Sequence, residues 1–180
     1  MYIGAALSAD VIVRMTSAGT ANNLPLMPTT YQALERVPNA CQLLANVVTG
    51  GQPSTADLEA FKESGGRIVL DLRDPMEARP LDEPETAARL GLEYVVVPVS
   101  TGTMTDATLE RIHGVLREAG DKPVFVHCGS GSRVGGALLP YLMLDHGLDE
   151  EDAIAQAMRV GLRSAELLDW GLEYARRKSI

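Results

Sequence analysis

The chain has little cysteine and little histidine. Its 180 residues hold two of the former and three of the latter. Two cysteines, Cys41 and Cys128, are too few for a disulfide scaffold. His113, His127 and His146 fall at no ligand spacing such as His-x-x-x-His, so no metal is expected, and the thiol chemistry read below needs no organic cofactor. Positive charge is also short. Lys and Arg number 16 against 24 Asp and Glu, for a net charge of −8. That balance argues against a nucleic-acid or anionic-membrane partner, although a local field can still favour a small anion. No apolar run approaches the roughly 20 residues of a membrane span. Residues 1–10 lack a basic start and a sustained apolar stretch, so no signal peptide is expected and a reducing cytoplasm is the default. No internal repeat is visible.

What is present is a globular composition, 46% apolar and 22% charged. Residues 1–40 read as an N-terminal extension of unknown role, able to contact a partner. Residues 16–25 are loop-like and residues 31–36 form a short helix. Residues 41–180 read as a single domain. Strands are predicted over 46–49, 67–72, 93–98 and 122–127. Helices are predicted over 54–64, 85–90, 106–119, 134–145 (kinked at Pro140), 148–160 and 164–178. The strands at 67–72 and 93–98 are nearly continuous apolar runs, as suits strands buried on both faces. Alternating strands and helices imply an α/β domain with a largely parallel sheet, whose ligands gather at the carboxyl ends of the strands. Three polar segments, 71–75, 98–105 and 128–133, should meet there.

The last of these holds the chemistry. A β-prone run ends at His127, and Cys128-Gly129-Ser130-Gly131-Ser132-Arg133 follows before the sequence turns helical. Glycines let backbone N–H groups converge, the helix start adds its dipole, and Arg133 adds a planar donor fork. Together these should lower the pKa of the Cys128 thiol and make it a nucleophile, with Gly129, Ser130, Gly131 and Ser132 as an anion-binding loop. The plain alternative is a tight βα turn whose cysteine is merely a small buried residue. The coincidence of thiol, glycines, arginine and helix start argues against that. Cys41 has no such surroundings and reads as structural. A redox pair between the two cysteines stays open at this point.

The stretch His127 to Arg133 resembles the active-site loop of cysteine-dependent protein tyrosine and dual-specificity phosphatases. Three pieces in order more closely resemble the bacterial beta-lactamase-hydrolase-like, phosphatase-like domain family. They are Thr49-Gly50-Gly51-Gln52-Pro53-Ser54, Ile68-Val69-Leu70-Asp71-Leu72-Arg73 and Cys128 to Arg133. The resemblance covers roughly residues 42–165. It implies a three-layer phosphatase-like domain with a mostly parallel central sheet flanked by helices.

This chain departs from the phosphatase pattern in three ways. Those phosphatases place five residues between cysteine and arginine; here there are four, the spacing of rhodanese-type sulfurtransferases and of the beta-lactamase-hydrolase-like family. Val134 stands where a hydroxyl residue usually follows the arginine. The loop 99–105 holds no carboxylate to act as general acid. Asp71 and Asp74 could substitute, although solvated loop charge or a pair with Arg73 is the simpler reading. His127 should point away from the thiol and support the loop. The leading expectation is a cysteine-thiolate enzyme that transfers sulfane sulfur, with a small anionic or persulfide substrate. The alternatives are phosphomonoester hydrolysis through a cysteinyl-phosphate and a non-catalytic anion- or partner-binding module.

Overall fold

The computed structural model describes residues 28–179. The reading of residues 16–25, and most of the expected N-terminal extension, lies outside these residues.

Five strands form one sheet: β1 (Cys41–Leu44), β2 (Val47–Gly50), β3 (Ile68–Asp71), β4 (Glu93–Val96) and β5 (Val124–His127). Their order is β1-β2-β5-β3-β4, with only the β1–β2 pair antiparallel. Alternation along each strand divides the core in two. Val47, Ile68, Leu70, Val124 and Val126 face one cluster. Val48, Val69 and Phe125 face the other. The helices α4 (Asp106–Ala119), α5 (Ser132–Leu144), α6 (Glu150–Val160) and α7 (Ala165–Lys178) cover the first face. The helices α1 (Thr30–Leu34), α2 (Thr55–Glu63) and α3 (Glu83–Leu90) cover the second. This is the expected three-layer α/β arrangement.

Local chemistry sets the helix ends. Ser54 accepts from the Asp57 amide while the Asp57 carboxylate accepts from the Ser54 amide at 2.8 Å, a reciprocal cap for α2. Asp82 caps α3, which begins at Glu83, two residues before the predicted start, and Gly91 in the left-handed region ends it. The stripe Leu109, Ile112, His113 and Leu116 of α4 is buried as its spacing predicts. α5 runs through Pro140 and begins two residues earlier than predicted, at Ser132.

Two readings need correction. β1 was not foreseen: only Cys41 of its four residues is fully buried, so this edge strand shows no alternating pattern. Nor does the packed domain start at residue 41. Leu34 and Val37 are buried in the second cluster beside Phe61 and Phe125, so residues 30–40 belong to the domain. No described helix is long and apolar enough to cross a membrane.

Candidate active site

β5 delivers Cys128 to the carboxyl end of the sheet, and the thiol is 1% exposed. The Gly131 amide donates to its Sγ at 3.1 Å. The loop carbonyls are drawn the other way. Gly129 O accepts from the Gln52 amide at 3.2 Å, and Ser130 O accepts from Asn39 Nδ2 at 2.8 Å. Ser132 Oγ accepts from the Arg163 amide at 3.1 Å, tying the loop to the segment after α6.

Two glycines make this closeness possible. Gly131 has φ +91°, and a Cβ there would lie 2.3 Å from the Val160 carbonyl oxygen. A Cβ on Gly51 would lie 2.8 Å from the Gly129 oxygen. The Thr49-to-Ser54 stretch is therefore the end of β2 and the turn after it, which braces the cysteine loop from the side.

Arg133 lies in the first turn of α5, and its terminal nitrogens are held by Glu77. Nη2 donates to Oε2 at 2.9 Å and Nη1 to Oε1. Hydrogen bonding to Arg133 lowers the Glu77 carboxyl to about 2, while the same bond raises Arg133. Asp74 builds the turn that carries Glu77. Its Oδ1 accepts from the Met76 amide at 2.9 Å, and its amide donates to Glu77 Oε1 at 2.8 Å. Asp74 thus closes a turn.

Asp71 is fully buried, which overturns the solvated reading and bears out the pair with Arg73. Its carboxylate accepts from Arg73 Nε and Nη2 at 3.1 and 3.0 Å, from Arg79 Nη1 at 2.6 Å and from the Tyr94 hydroxyl at 2.7 Å. Burial opposes its charge, yet the Arg73 and Tyr94 bonds hold it well below the usual carboxylate range. Glu83, also buried, accepts from Arg73 and from Gln52 at 2.7 Å. Burial raises it to about 7, against the pull of Arg73 and helped by the Asp71 charge.

His127 points to the opposite face from the thiol, as expected, and stacks on Phe125 with centroids 5.3 Å apart. Its Nδ1 lies 3.4 Å from the Cys128 carbonyl oxygen. Its Nε2 faces Glu83 Oε2 at 3.7 Å and Asp71 Oδ1 at 3.9 Å. Burial lowers its pKa to about 4, so it is neutral at working pH. Asp71, Glu83 and His127 stand close enough together to share a cation. Arg73 and Arg79 already balance both carboxylates there, so a metal would meet two fixed positive charges.

Of the three polar segments expected to converge, 71–75 runs into the turn whose Glu77, just beyond it, reaches Arg133 of the third. The 98–105 loop borders the first segment, its Val99 amide donating to the Leu72 carbonyl at 3.0 Å, and then turns on itself, with Thr103 Oγ1 donating to the Pro98 carbonyl at 2.8 Å. Asp106 pairs with Arg177 at 2.6 Å. The cysteines cannot form a redox pair. Cys41 is opposite Thr49 and Thr49 opposite Val126. Two strand spacings are about 10 Å, beyond the ~7 Å Cα limit of a disulfide. Residues that the motifs did not point to are Glu77, Glu83, Arg79, Tyr94 and Asn39. Each makes a contact to a residue eight or more positions away, which no local motif reveals.

Residues 31–167 match the family described as DSP-PTPase phosphatase fused to NAD+ kinase. Over 98 residues the chain is 29% identical to a beta-lactamase hydrolase-like protein of Agrobacterium fabrum; this covers 52% of the chain but only 22% of that relative. A Shewanella putrefaciens structure described as a phosphatase (DUF442) superposes with a TM-score of 0.71 at 18% identity, covering 81% of this chain and 96% of the other. The active form of Tk-PTP gives a TM-score of 0.68 at 22% identity, covering 78% and 98%.

Proposed function

Because the chain belongs to the family of DSP-PTPase phosphatases fused to NAD+ kinase, we propose that it acts through Cys128 as a nucleophile and that the group it carries is sulfane sulfur. The observation that carries this reading is the state of the cradle. It is one residue shorter than a phosphatase loop, and its only arginine already holds a carboxylate. A phosphoryl group needs several amides and a free guanidinium fork around its oxygens. A single transferable sulfur needs less room and less charge.

In the first step the Cys128 thiolate attacks the outer sulfur of a persulfide R–S–SH. A new S–S bond forms as the old one breaks, and R–S⁻ leaves. Cys128 then carries S–SH, with the Gly131 amide directed at its inner sulfur. An acceptor thiolate attacks the outer sulfur, forming R′–S–SH and restoring the Cys128 thiolate. No external oxidant or reductant is needed.

Phosphomonoester hydrolysis is the second reading, supported by the family match and by the phosphatase fold of the solved neighbours. Against it stands the absence of a carboxylate in the 99–105 loop to protonate a leaving alkoxide. Intact-mass measurement separates the two. Incubation with glutathione persulfide should add one sulfur to Cys128, removable by a thiol and absent in Cys128→Ser. Rapid aryl-phosphate turnover with no sulfur on Cys128 would overturn sulfur transfer and install the phosphatase reading.

A further inference from the structure

The segment between β3 and α3 is pinned on both sides of Glu77. Arg73 and Arg79 are anchored in the buried cluster with Asp71 and Glu83. Between them the 74–77 turn projects outward. Met76 at its tip is 91% exposed, and Glu77 reaches across to Arg133. The Glu77 side chain is 36% exposed, so it sits at the mouth of the site and outside the core.

This arrangement sets the charge of the cradle. Once Cys128 is deprotonated, Arg133 faces two negative groups. A doubly charged anion approaching Arg133 must displace Glu77 or lie against it, and like charges a few ångströms apart in a half-buried site repel strongly. A ligand whose reacting end bears one diffuse charge meets a smaller barrier.

We propose that Glu77 is the specificity-determining residue of this site, favouring donors whose transferable sulfur ends in a single charge, such as low-molecular-weight persulfides, over dianions such as thiosulfate, sulfate and phosphate monoesters. The donor class rests on the sulfur-transfer reading above. The charge rule rests on the Glu77–Arg133 pair alone.

Calorimetric titration of the whole chain with sulfate and with thiocyanate tests the rule, using the parent, Glu77→Gln and Glu77→Asp. Removing the charge should raise the sulfate-to-thiocyanate affinity ratio about tenfold or more, and Glu77→Asp should keep the parental ratio. An unchanged or lower ratio in Glu77→Gln, or no sulfate binding by it, would make Glu77 a mere brace for Arg133 and overturn the proposal. Both variants alter an exposed turn, and circular dichroism checks that they fold. Mass measurement of Cys128 keeps the two readings apart. A raised ratio with no sulfur on Cys128 removes the donor class. Sulfur on Cys128 with an unchanged ratio removes the charge rule and leaves sulfur transfer standing.

Discussion

At the scale of single residues, Gly131 answers two demands together: a left-handed backbone and contact with the Val160 carbonyl. Gly131→Ala should therefore cost about 2–5 kcal/mol in urea denaturation and abolish sulfur loading on Cys128. A stability near the parent's would mean that the α6 terminus yields easily. Asp71→Asn should be as severe. It leaves Arg73 and Arg79 short of one buried counter-charge, a loss of about 3–5 kcal/mol on the same measurement. Cys128, Arg133 and the glycine loop were legible because they are consecutive and chemically unusual together. Glu77 was not. It lies 56 residues from Arg133 in a run of charged and proline residues where any carboxylate looks solvated.

At the scale of elements, the helix boundaries were readable where a polar cap precedes an apolar stripe. The Ser54–Asp57 cap of α2 is such a case. Ser54→Ala should lose about 1 kcal/mol, with the loss confined to stability in thermal or urea unfolding. A change in sulfur loading out of proportion to that loss would show that the α2 start also shapes the site through the neighbouring Gln52. Parallel strands β3 and β5 were legible from their apolar runs. β1 was not, because an edge strand that buries one side chain leaves no period to read. The start of α3 was misplaced by two residues because Pro84, read as a loop residue, occupies the first turn, where its missing N–H is harmless.

At the scale of the whole molecule, the buried cluster between sheet and loop governs the response to pH. Glu83 is raised from 4.5 to about 7, so the folded chain holds a proton there that the unfolded chain releases. Its contribution to stability is complete below about 4.5 and is lost as pH rises through 7. His127, lowered from 6.5 to about 4, acts in the opposite sense, and its contribution is lost as pH falls from 6.5 toward 4. The two oppose each other between about 4.5 and 6.5, so urea midpoints should vary little there. In Glu83→Gln the midpoint should instead rise with pH across that window, and a flat profile would refute the pairing. Below about pH 4, protonation of Asp71 and Glu77 removes the stability of their ionised forms. The loop beside this cluster is held from outside by Asn39, Gln52 and Arg163, which belong to three distant stretches of chain. Local fraying therefore cannot open it, because each clasp is fixed to the sheet or to the helices packed on it. The cysteine loop should share the fate of the most stable part of the fold, and the Gly131 amide should exchange with solvent deuterium as slowly as the amides of β5.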